Sequence, residues 1–135
     1  ITAFGSVLVA LARLGASRVA LGTPYDADST ARTRAHLEAH AIEVVSEGRL
    51  EGVTSIYEET AARARELARR VDAPAAQVVF LSGLGMPTVA TLEAMERDLG
   101  KPVVSAAAAM MWNALRIAGE PAPLAGFGRL LAERR

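Results

Sequence analysis

The chain has 135 residues, 15 basic and 15 acidic side chains, 51% apolar residues and no cysteine. This balance suits one globular core, and a zero formal net charge argues against the broad basic surface that nucleic-acid binding uses to displace counterions. Without cysteine there is no disulfide, thiolate metal site or thiol nucleophile, and no apolar run nears the roughly 18 residues of a membrane span.

The chain opens on Ile1-Thr2-Ala3-Phe4, with no initiator methionine, and enters a helical pattern at once, as expected of the later part of a longer protein. The first apolar stretch lacks a basic leader, so the expectation is a cytoplasmic protein. Residues 6–14 place Val7, Leu8, Leu11 and Leu14 on one side of a helix, and Gly15 follows where a left-handed cap is common. Four apolar runs then read as buried strands: 18–23, 42–46, 77–82 and 102–105. Three are nearly continuous in β-branched or large apolar residues, the pattern of a parallel sheet covered on both faces. Asp26 and Asp28 read as the start of the helix after the first strand.

The clearest helix signal covers residues 56–71. Ser55 and Glu58 form a capping-box pattern, Glu59–Arg63 and Glu66–Arg70 are pairs of favourable orientation, and Tyr57, Ala61, Ala64, Leu67 and Val71 share the opposite stripe. The helix after Pro87 carries Leu92, Met95 and Leu99 inward and stops at Gly100 before Pro102. A last helix carries Met110, Met111, Trp112 and Leu115, and the tail from Glu120 holds two prolines and two glycines before Leu130-Leu131. Strict alternation of helix and strand predicts an α/β fold, a four-stranded parallel sheet with helices on both faces and right-handed crossovers.

In such sheets ligands bind beyond the carboxyl ends of the strands. The segment Ser82-Gly83-Leu84-Gly85 stands there, and its two glycines allow a tight turn that presents amides to an anion, aided by the positive end of the following helix. The glycine spacing matches neither a Walker loop nor a dinucleotide fingerprint, so a purely structural turn is the competing reading. Tyr25 is either a phenol donor to an oxyanion or a half-buried packing ring. Thr23, Thr54 and Ser55 offer hydroxyls, with helix capping as the alternative for the last two. His36 and His40 lie one turn apart, but no third ligand accompanies them, and a solvated helix face accounts for them. Met110 to Trp112 reads as a core stripe or a partner surface. Ser82 and Ser105 lack a nearby histidine for a triad, and Lys101 is the only lysine available for Schiff-base chemistry.

The run from Leu14 to Tyr25, the run from Phe80 to Thr88, the run from Leu99 to Ser105, and Trp112 together resemble the C-terminal half of the aspartate/glutamate racemase superfamily. The resemblance is to the branch of arylmalonate decarboxylase and maleate cis-trans isomerase, and it runs from about Ser6 to Gly128. It implies a Rossmann-like half of a two-domain fold. Residues 1–119 would be the carboxylate-binding half, and residues 120–135 a tail packing on an N-terminal half outside this chain. It implies a small carboxylate substrate and no cofactor. Tyr25 would bond a substrate carboxylate, Gly83, Leu84 and Gly85 would hold it by their amides, and Thr54 or Ser55 would add a polar contact. The family's second catalytic cysteine falls on Gly83, which cannot transfer a proton, and the adjacent Ser82 hydroxyl is a far weaker acid than a thiol. Three functions stay open: an enzyme stabilising an enolate-like intermediate for decarboxylation or isomerisation, a non-catalytic carboxylate-binding relative, and an interaction domain forming a homo-oligomer through residues 110–112.

Overall fold

The computed structural model describes residues 1–133. Its strands, β1 (Arg18–Thr23), β2 (Glu43–Arg49), β3 (Val78–Leu81) and β4 (Val103–Ser105), form one parallel sheet in the order β2-β1-β3-β4. The predicted α/β architecture is what the structure has. β2 runs on to Arg49, beyond the predicted 46, because it is an edge strand with residues as polar as Glu47 and Arg49. The fully buried β3 follows the continuous apolar pattern that marks a covered central strand.

The helices are α1 (Ala3–Arg13), α2 (Ala27–Ala39), α3 (Ala61–Val71), α4 (Leu92–Leu99), α5 (Ala106–Ile117) and the short α6 (Arg129–Ala132). Right-handed crossovers put α2 on one face and α3 and α4 on the other, and α1 and α5 pack on the α2 side. The packing of α1 on α5, of α3 on α4, and of the Phe4 ring on the His36 and His40 rings agrees with that division. On the α3 face, Gly22 and Gly48 are register partners across β1 and β2. A Cβ at Gly22 would lie 3.0 Å from Leu67 Cγ, and one at Gly48 2.8 Å from Val71 Cγ1, so two missing side chains let α3 settle close on the sheet.

Several local expectations are corrected. The predicted helix over 56–71 begins only at Ala61, where the Thr60 hydroxyl accepts from the Arg63 amide at 3.2 Å. Ile56–Glu58 is a separate 3₁₀ turn, and Ser55 makes no side-chain cap. The reason is tertiary: Ile56 turns onto the bend at Gly83 and Gly85, which takes the chain off the helix axis. Tyr57, expected on the buried stripe, is therefore 84% exposed. The Glu59–Arg63 pair forms at 2.6 Å, whereas Arg70 donates instead to the Arg49 carbonyl at 2.8 Å. Trp112 is buried beneath the Arg116 guanidinium, so of the Met110–Trp112 stripe only Met111 is freely exposed.

The tail also packs on this domain. Leu130 and Leu131 are buried within this domain, α6 packs on α5, and the Leu124 amide donates to the Leu131 carbonyl at 2.7 Å. An apolar pair on a short helix finds its nearest cover in this core. Half-buried Glu96 ties the tail down, accepting the Val103 and Arg129 amides at 2.9 and 2.8 Å, and burial pushes its carboxyl up. Lys101 is a staple: its ammonium donates to the Ala73 and Ala76 carbonyls and lies 2.7 Å from Asp72 Oδ1. Among the described residues no helix is long and apolar enough to cross a membrane.

Candidate active site

β1 and β3 are neighbours whose onward connections leave in opposite directions, to β2 and to β4. A doubly wound sheet opens a crevice at this switch point, between the loops beyond the two strands. A cleft of about 270 Å³ lies there, lined by Tyr25 from the first loop and Ser82, Gly83 and Leu84 from the second. Phe4, Val7 and Phe80, with Ala3 and Ala106, give it an apolar wall, and Thr33 and His36 of α2 complete the lining.

The Tyr25 loop is set by two buried hydroxyls. Thr23, the last residue of β1, lies 2.6 Å from the Thr30 hydroxyl in the first turn of α2, and the Tyr25 amide reaches Thr23 Oγ1 at 3.4 Å. Asp26 then caps α2 by accepting from the Ser29 amide at 2.8 Å, as its position in the sequence predicts. Tyr25 is 38% exposed. Burial, and then the Tyr57 phenol beside it, push the Tyr25 hydroxyl up from the usual tyrosine range, so it stays a protonated donor at neutral pH.

Gly83 has φ +104°, a conformation only glycine adopts without strain. A Cβ built there would stand 2.8 Å from Pro24 Cγ and 3.1 Å from Ile56 Cδ1. One at Gly85 would stand 2.9 Å from both Ile56 and Tyr57 side-chain atoms. Side chains of residues 24, 56 and 57 therefore cover one side of the bend, while Ser82 to Leu84 opens onto the cleft. Among the described residues, the Gly83, Leu84 and Gly85 amides donate to no other group.

The structure thus brings Tyr25, Ser82, Gly83 and Leu84 together around one volume. Gly85 lies under Tyr57 and does not line the cleft. Thr54 stays outside too, exposed, its hydroxyl donating to Glu58 at 3.3 Å. Thr23 is fully buried and bonded to Thr30, so it cannot reach a ligand. Ser105 is buried as the cap of α5, accepting from the Ala108 amide at 3.1 Å. The helix expected directly after the glycine bend starts only at Leu92, past a 3₁₀ turn at Val89–Thr91. His36 and His40 are exposed, as expected, yet both rings stand edge-on to Phe4, at 5.4 and 5.6 Å. No group of three or more histidine, aspartate and glutamate side chains is placed to hold a metal among the described residues. Phe4, Val7 and Phe80 carry no local sequence signal for a site, since their shared wall exists only once α1 packs over β3.

Comparison with known proteins agrees with this fold. The family model for arylmalonate decarboxylase matches residues 1–131. An arylmalonate decarboxylase from Bordetella bronchiseptica is 37% identical over 137 residues, covering 95% of this chain and 55% of that protein. A maleate isomerase from Nocardia farcinica is 34% identical over 137 residues, covering 96% of this chain and 53% of that protein. A solved cysteine-to-serine variant of the Nocardia farcinica maleate cis-trans isomerase, holding a covalently bound succinylcysteine intermediate, aligns with a TM-score of 0.90 at 31% identity. That alignment covers 96% of this chain and 54% of the other. The chain spans about half the length of the curated relatives it matches. A match over nearly all its residues, with the same fold, places this chain in the arylmalonate decarboxylase family.

Proposed function

We propose that this chain forms the carboxylate-binding half of an enzyme that acts on a small carboxylate or dicarboxylate and stabilises an enolate-like intermediate, for decarboxylation or isomerisation. The observation that carries the reading is the switch-point cleft, where a protonated Tyr25 phenol and unpartnered amides of the Gly83–Leu84 bend border one volume. When a malonate-type acid loses carbon dioxide, the electrons of the breaking C–C bond move onto the remaining carboxylate as an enediolate. Donors already held in place stabilise that developing charge without reorganising, which lowers the barrier. Ser82 is the adjacent hydroxyl in the same lining.

Protonation of the carbanion needs an acid that the 135 residues do not supply as a thiol. The position that the resemblance assigns to the family's second cysteine is Gly83, whose φ and crowding by Pro24 make a side chain there costly. This favours chemistry with a single thiol from the remainder of the protein over two-thiol racemisation. The same observation favours a second reading, a relative that holds a carboxylate without turning it over.

Tyr25→Phe in the full-length protein tests the first reading. Loss of an oxyanion donor raises the barrier by about 2.7–4 kcal/mol, or 10²–10³ in kcat. Unchanged turnover removes Tyr25 from the mechanism. Calorimetric binding of malonate by the wild-type protein, with no product formed, establishes the second reading instead.

A further inference from the structure

The polar groups lining the cleft fall in two places. Tyr25, Ser82 and Gly83 belong to the strand-end loops, whereas Thr33 and His36 come from α2. Thr33 is not a free donor, because its hydroxyl already donates to the Ser29 carbonyl at 3.1 Å. No hydrogen bond engages the His36 ring nitrogens among the described residues, and the ring is steadied by the Phe4 edge at 5.4 Å. His40 bonds through Nδ1 to the His36 carbonyl at 2.8 Å and also stands against Phe4, which braces this turn of α2 from below. An imidazole in either tautomer, or as the cation, keeps at least one N–H to donate. Phe4, Val7 and Phe80 of the remaining wall, like Ala3 and Ala106, offer apolar side chains only.

We propose that His36 is a specificity-determining residue, whose imidazole N–H receives a second acidic group of the substrate while the strand-end loops hold the first. The inference rests on the carboxylate reading of the cleft given above. It selects dicarboxylates, or acids bearing a second anionic substituent, over monocarboxylates of equal length. A cleft of about 270 Å³, the space of roughly nine waters at ~30 Å³ each, has room for a four-carbon dicarboxylate.

The test is calorimetric titration of the full-length protein with succinate and with butyrate, which share a four-carbon chain and differ by one carboxylate. The expected result is a wild-type preference for succinate. His36→Phe keeps an aromatic ring against Phe4 and removes the donor. It is expected to weaken succinate about tenfold or more, the size of a hydrogen bond to a charged group, and to leave butyrate unchanged. His36→Gln, which keeps an N–H but loses the ring, is expected to retain most of the preference. A merely structural role predicts the reverse order, with phenylalanine tolerated and glutamine not, and that order overturns the proposal. Equal loss of both acids in His36→Phe, or no loss of either, also overturns it. Tyr25→Phe is expected to weaken both acids and preserve their ratio. If the wild type binds neither acid, the carboxylate reading itself fails, and this inference falls with it.

Discussion

Replacing Gly83 by cysteine, the residue that the family resemblance places there, puts a side chain on a backbone with φ +104°. A non-glycine residue in such a region costs about 1–3 kcal/mol. The new Cβ also stands 2.8 Å from Pro24 Cγ, a closed and buried ring that cannot swing aside, and 3.1 Å from Ile56 Cδ1. Overpacking of that kind costs about another 1–3 kcal/mol. The sum, about 2–6 kcal/mol, is a large fraction of the ~5–15 kcal/mol that holds a domain together. With a urea slope of about 2 kcal/mol/M, the unfolding midpoint falls by about 1–3 M. Gly83→Ala carries the same backbone and Cβ penalties and falls similarly, which separates strain from thiol chemistry. Pro24→Ala removes the nearer obstacle, so the double variant Pro24→Ala/Gly83→Cys recovers part of the loss, with a coupling of about 0.5–3 kcal/mol in a double-mutant cycle. A Gly83→Cys protein that unfolds at the wild-type midpoint and gains two-base racemase activity would refute the reasoning, since it would show the bend adopting an ordinary backbone without cost.

Two further outcomes follow from particular contacts. Thr30→Val leaves the buried Thr23 hydroxyl without its 2.6 Å partner and is expected to destabilise by about 1–3 kcal/mol in urea unfolding, with weaker carboxylate binding because the Tyr25 loop loses its tie to α2. Arg65 and Arg69 of α3, beside Asp98 of α4, hold that carboxyl down at about 2, against an ordinary 3.8. The folded state therefore binds this proton less readily than the unfolded one. The contribution is complete above about pH 4 and is lost as pH falls toward 2. Asp98→Asn is expected to flatten that part of the stability profile, measured as urea midpoints between pH 5 and 2, and to leave the profile above pH 5 unchanged.

Much of this protein is written locally. Strand positions follow from short β-branched runs because a strand covered on both faces must be apolar at nearly every residue, as Val78–Leu81 is. Gly100 stops α4 in the left-handed conformation, and Asp26 starts α2, because caps are satisfied by atoms three or four residues away. The alternation of those elements points to the parallel sheet, and the ends of its strands to the loops at Tyr25 and Ser82–Leu84, whereas the order that makes β1 and β3 the switch point comes only from the tertiary structure. What the sequence could not determine depends on contacts between distant segments. Ser55 and Glu58 carry a sound capping pattern, yet Ile56 gains more from packing on the Gly83 bend than from continuing a helix. Thr54 and Gly85 sit at plausible strand-end positions, but the turn that brings Ile56 and Tyr57 over the bend leaves both outside the cleft. His36 reads as one of two exposed histidines on a polar helix, and only the docking of α2 against Phe4 brings it to the cleft that holds Tyr25. Local signals reach about one turn of chain, whereas the walls of a cleft are set by whichever side chains the packed layers bring to the same few ångströms.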